Sequence, residues 1–179
     1  MADPGPSSPG HPPELGVEIV RRAEIWERLA VSDAALARAA RAAFLAAPRA
    51  GAFEVTLVLT DDAEMRALNR AWRGKDAATN VLSFPAGAVG GRGDEPCPLG
   101  DVVLAAQTVQ REAEAQGLSL ADHISHLVIH GMLHLLGFDH EAEANAERME
   151  ALETKVLAGL GIADPYVEPA ASCAAEVSS

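Results

Sequence analysis

Apolar and polar residues alternate with a period of two over Phe53–Thr60 (FEVTLVLT), where β-branched residues mark a strand. Val17–Arg21 alternates in the same way and reads as an edge strand. Thr79–Phe84 and Asp101–Leu104 read as two more strands, paired as a hairpin across a Gly- and Pro-rich loop over 85–99. Elsewhere the period lengthens to that of a helix. Ser32 is placed to cap a helix over Asp33–Ala47, with Leu36, Ala40, Ala43 and Phe44 on one face and Pro48 beyond its end. Asp61 with Glu64 forms a capping-box pattern that opens a helix over 62–72, which Gly74 can stop. Further helices are predicted over Ala105–Gln116, from a Ser119 cap to Leu136, and over 141–160 with Met149, Leu152, Val156 and Leu160 inward. Strands interleaved with helices, then helices alone, predict an α+β fold with a small mixed sheet and about five helices.

Composition limits what this pattern can build. Of 179 residues, 49% are hydrophobic, but 36 are Ala, so the larger apolar residues suffice for a single core. The expected domain spans 15–166, between a Pro-, Gly- and Ser-rich disordered tail at 1–14 and a second tail at 167–179. No stretch approaches the ~18–20 uncharged apolar residues that cross a bilayer, and the N-terminus lacks the basic start and apolar run of a secretory signal. Cys97 and Cys173 do not make a disulfide framework, which points to a reducing, cytoplasmic setting. The net charge of −12 argues against a protein that binds nucleic acid indiscriminately, because phosphate contact needs Lys and Arg. The charge is uneven, however. Residues 141–179 hold eight acids and two bases, whereas Arg66, Arg70, Arg73 and Lys75 stand without an acid in 66–75 (RALNRAWRGK). The three arginines fall at i, i+4 and i+7 and share one helix face, which is either a solvated surface or the wall of a cleft.

The histidines carry the chemistry. Five of six lie between 123 and 140. His130 and His134 are four apart on a helix, so they share a face at roughly 6 Å along the axis, as in zinc-binding H-x-x-x-H helices. Gly137 can end this helix in a left-handed turn and bring His140 over the same face. Three imidazoles with an open fourth position is the pattern of a catalytic zinc-like site on a zincin-like core helix. His126 is the rival third ligand, but it lies roughly 12 Å from His134 along the axis. Zn–N bonds of about 2.0–2.1 Å make that separation hard to bridge, which leaves His126 behind the ligands or against the substrate. The helix is apolar nearly all round, so isolated histidines here would read as core residues; three at ligand spacing do not. Gly131 occupies the position where H-E-x-x-H peptidases carry their general base, and this disfavours peptide hydrolysis. Three imidazoles favour Zn²⁺ and tolerate Ni²⁺, Co²⁺ or Cu²⁺.

Three segments, HGMLHLLGFDH (130–140), WRGKDAATNVLSFP (72–85) and LGDVVL (99–104), together resemble the YbeY family of bacterial endoribonucleases, a likeness covering about 53–165. The resemblance implies a single-domain α+β fold, one zinc on His130, His134 and His140, and cleavage of single-stranded RNA rather than DNA. It further implies roles in 16S rRNA 3′-end maturation and ribosome quality control, with the small ribosomal subunit and its proteins as partners. The arginine that the family needs for activity falls on Arg73. Phe138 stands where the family commonly has Tyr, and Trp72 where Tyr is frequent. Arg66, Arg70, Lys75 and His126 are candidates for substrate contact. Two other readings compete: a zinc-dependent peptidase, and a non-catalytic ribosome-assembly factor whose zinc is structural, with Cys97 as a conceivable fourth ligand.

Overall fold

The alternating segments pair into one four-stranded sheet in the order β1–β2–β4–β3, comprising β1 (Glu14–Arg21), β2 (Ala52–Thr60), β3 (Val81–Pro85) and β4 (Cys97–Ala105). The computed structural model describes residues 12–47, 49–87, 95–138 and 143–166. The tail at 167–179, most of that at 1–14, and His140 lie outside the described residues. β1, β2 and β4 run parallel, and β3 pairs antiparallel with β4, so the sheet is mixed, as the sequence pattern predicts.

Two strands start three or four residues earlier than the sequence reading, and β3 covers Val81–Pro85 rather than Thr79–Phe84. β1 begins at Glu14, within the segment read as tail and three residues before Val17, because Glu14 and Leu15 continue the parallel register onto Ala52 and Phe53. β4 begins at Cys97 rather than Asp101, so Cys97 is a strand residue and not a loop residue. Pro98 and Gly100 conceal this strand start, and the ladder accommodates them through a register shift opposite Glu54 and Val55.

Among the described residues six helices accompany the sheet: α1 (Ile25–Arg28), α2 (Asp33–Ala46), α3 (Asp62–Arg73), α4 (Ala106–Gln116), α5 (Leu120–Leu135) and α6 (Glu143–Gly159). Their caps are those read from the sequence: Ser32, Asp61 and Ser119 accept from the backbone amides of Ala35, Glu64 and Asp122, and Gly74 and Gly117 end α3 and α4. α1 has no counterpart in the sequence reading, since four residues are too few to show a period. It is anchored by Trp26, fully buried, whose indole N–H donates to the Thr60 carbonyl at 2.8 Å.

The period of two in β2 decides which side each helix takes. Val55, Leu57 and Leu59 join Val102 and Leu104 in the main core beneath α2 and α5. Val58, Leu82 and Val103 face the other way, onto Met65 of α3. α5 is the central helix: Leu127, Val128, Ile129, Met132 and Leu133 are all buried.

Gly131 lets α5 lie directly on the sheet. A Cβ there would stand 2.6 Å from Val102 Cγ1 and 3.0 Å from Ser83 Oγ, neither of them a mobile chain end. Ser83 Oγ donates to the Gly131 carbonyl at 3.1 Å, fixing β3 to the helix at the same point. Gly131→Ala is therefore expected to destabilise the fold. Ala gains ~1 kcal/mol in helix propensity, but overpacking costs ~1–3 kcal/mol, and a contact this short puts the cost at the upper end. Urea denaturation should show a lower midpoint with an unchanged slope. The position occupied by the base in H-E-x-x-H peptidases thus faces β3 and β4, where a Glu has no room.

Candidate active site

Three separate parts of the chain converge on one cleft. α5 presents His130 and His134 from its last turns. The segment after α3 brings Thr79 and Asn80, and the edge strand β3 adds Val81, Ser83 and Pro85. Arg73, the last residue of α3, lines the same cleft, together with Gly137 and Phe138 after α5. The cleft encloses about 590 Å³.

The end of α5 is built to turn sharply. Gly137 has φ 91°, a left-handed conformation that favours glycine. Its N–H donates to the His134 carbonyl and that of Phe138 to the Leu133 carbonyl, both at 3.0 Å, the paired bonds of a Schellman cap. Arg49 Nη2 donates to the Leu136 carbonyl at 2.6 Å, satisfying a further helix-end acceptor. The turn expected at Gly137 is present; the position of His140 beyond it lies outside the described residues.

The two histidines stand close enough to share one ion. Their Nε2 atoms stand 3.1 Å apart. Two nitrogens on one tetrahedral zinc, each with a bond of ~2.0–2.1 Å, stand about 3.3 Å apart, so the separation suits a shared ion. Among the described residues no third His, Cys, Asp or Glu joins them in a metal-binding group.

The support behind His130 was not visible in the sequence. Its Nδ1 lies 2.6 Å from Oε1 of Glu153, a carboxylate on α6 whose side chain is 1% exposed. Tyr166 Oη donates to the other oxygen of Glu153, and His126 Nε2 lies 3.5 Å from it. Burial alone would raise the Glu153 pKa. The nearby His126 and the hydrogen bonds from His130 and Tyr166 outweigh burial and hold it at about 2. Burial, and then the bond to this carboxylate, push the Tyr166 phenol up. An ionised Glu153 can only accept, so His130 donates through Nδ1 and its Nε2 lone pair faces the cleft. This carboxylate–histidine arrangement orients metal-binding imidazoles in general.

The other sequence candidates have different places. His126 stands behind His130 on α5, with ring centroids 6.4 Å apart, and is not among the cleft-lining residues. Arg66 forms a two-point ion pair with Asp76, at 2.8 and 2.7 Å, which offsets one charge of the basic strip. Arg70 and Lys75 are exposed near the end of α3 but do not line the cleft, and neither does Cys97. Asn80 does line it, held by Glu112 at 3.0 Å, and Glu112 in turn meets the buried His123 at 2.9 Å. Glu153 and Arg49 are contributors that sequence spacing misses, since each acts from a different element than the residue it supports.

Comparison with known proteins gives the family. The model of the family described as endoribonuclease YbeY matches residues 24–161. The chain belongs to the YbeY family. Among curated relatives named endoribonuclease YbeY, that of Rhodopseudomonas palustris (strain HaA2) is 46% identical over 171 residues, covering 92% of this chain and 87% of its own. The relative from Azorhizobium caulinodans is 57% identical over 117 residues, covering 65% and 73% of the two chains. That from Alkalilimnicola ehrlichii is 50% identical over 155 residues, covering 86% and 92%. The solution structure of TM1509 from Thermotoga maritima shares the fold at a TM-score of 0.50, with 20% identity over 85% of this chain and 99% of that one. The α+β YbeY architecture is therefore the fold of this chain. Among the described residues no helix is long and apolar enough to cross a membrane.

Proposed function

We propose that this YbeY protein is a metal-dependent endoribonuclease that cuts single-stranded RNA in the 590 Å³ cleft, and that it matures the 3′ end of 16S rRNA and serves ribosome quality control. The observation that carries the metal reading is the convergence of His130 and His134, their Nε2 atoms 3.1 Å apart, in a cleft also lined by Arg73. His130, His134 and His140 are the residues that would hold the ion, with zinc the natural occupant of an imidazole set. Bound there, zinc supplies Lewis-acid polarisation and a more acidic water.

The chain's own residues do the rest. Arg73 offers a planar, always-charged donor set for the phosphorus-bound oxygens on which charge develops. Glu153 and Tyr166 hold His130 in one tautomer and orientation. Asn80 and Ser83 present polar groups along the wall facing the histidines. Arg70 and Lys75 would extend the positive rim towards the incoming strand, with Arg66 contributing less because of Asp76. With a net charge of −12, affinity for RNA rests on the cleft, this short basic strip and protein partners on the small ribosomal subunit, in the cytoplasm.

Purified protein incubated with single-stranded RNA, duplex RNA and casein, each with and without chelator, separates this reading from a peptidase. Cleavage confined to single-stranded RNA and abolished by chelator is expected. Casein cleavage would point to the peptidase. Chelation that unfolds the protein, with no RNA cut under any condition, would point to a structural metal.

A further inference from the structure

The edge strand β3 has a second, apolar face that the chemistry above leaves unused. Ser83 points towards α5, whereas Leu82 and Phe84 point the opposite way, towards α3. There Trp72 lies 72% exposed, its ring packed edge-on against Phe84 at 5.7 Å and 64°. The two rings, with Leu68, Pro85, Asp101 and Val103, line a groove of about 430 Å³. Pro85 lines both this groove and the histidine cleft, and Trp72 directly precedes Arg73, so the two are continuous around the edge of β3.

Charge decides what suits the groove. Among the described residues, its basic lining residue Arg22 is engaged by Glu64 at 2.6 Å. Among the described residues, its acidic lining residue Asp101 is exposed beside Phe84, its partner in the β3–β4 register. A phosphate gains little here, since Arg22 is already paired and Asp101 carries a like charge. A flat aromatic ring whose rim carries N–H donors is favoured, stacked on Trp72 with its donors towards Asp101.

Resting on the RNA reading above, we infer that the Trp72–Phe84 groove binds one unpaired nucleobase of the strand whose phosphate lies at Arg73. A base held in a duplex cannot enter, so the groove selects single strands by stacking rather than by charge.

The chain carries its own probe. Of its two tryptophans, Trp26 is fully buried, so quenching by a ligand reports on Trp72. Stopped-flow mixing of the metal-loaded protein with a short single-stranded RNA should quench this fluorescence before cleavage, whereas an abasic strand of equal length should not. Trp72→Ala, at an exposed position, should raise KM for that RNA about tenfold with little change in kcat, and Trp72→Phe should restore most of the loss. An unchanged KM in Trp72→Ala, or equal quenching by the abasic strand, would overturn the inference while leaving the endoribonuclease reading intact. Fluorescence unmoved by an RNA that is nevertheless cut would assign the groove to a protein surface and likewise overturn it. A wild-type protein that neither binds nor cuts RNA would sink the RNA reading, and this inference with it.

Discussion

Arg73→Ala is expected to retain full metal content and to lose RNA cleavage by about 10²–10³-fold, the usual effect of removing one donor that meets charge developing in a transition state. The loss should fall on kcat, because Arg73 is one exposed side chain on the cleft wall and ground-state binding is shared along the strand. The fold should survive, since Arg73 closes α3 and is not part of either core cluster. Arg73→Lys should recover little, because a point charge does not reproduce the guanidinium's two-pronged contact with phosphate oxygens. Single-turnover cleavage with metal analysis of the same samples checks this. Full activity in Arg73→Ala would remove Arg73 from the chemistry.

Glu153→Gln should show the complementary split. The amide nearly matches the carboxylate in shape and its oxygen can still accept from His130 Nδ1, but it loses the negative charge and must place an NH₂ where Glu153 now accepts from Tyr166. Metal affinity is expected to fall 10–100-fold, the typical result of altering a partner behind a metal-binding histidine. At saturating zinc much of the activity should return, which distinguishes Glu153 from Arg73. Competition with a metal-chelating dye, read beside RNA cleavage over a zinc titration, gives both numbers. Unchanged metal affinity would mean that Glu153 serves only the core.

How far the sequence reached depended on whether a signal was local. α3 is legible because period, cap and stop residue coincide within one segment in Asp61, Glu64 and Gly74, whereas β2 shows by its period of two, α2 by its Ser32 cap and face, and α4 by its Gly117 stop. The facing of Gly131 was half legible. The missing Glu excluded a peptidase base, but only the 2.6 Å approach to Val102 explains why no larger side chain fits there. Non-local support was hidden. Glu153 reads as one acid among many on an acidic α6, and its role depends on α6 packing against α5, which no spacing along the chain reveals. Asp76 is hidden for a different reason: it stands one residue outside the basic strip, yet pairs with Arg66. Trp72 belonged to a motif from the start, but its exposure and its partner Phe84 come from the β3 pairing.

The central claim is that RNA is cut at a metal held by the α5 histidines. The most direct measurement follows a precursor 16S 3′-end RNA incubated with the protein as purified, after metal stripping, and after stripping and reloading with zinc. Cleavage at the mature end in the first and third samples, and its absence from the second, is the predicted result. Equal cleavage by the stripped protein, or no recovery on reloading a protein that remains folded, would contradict it.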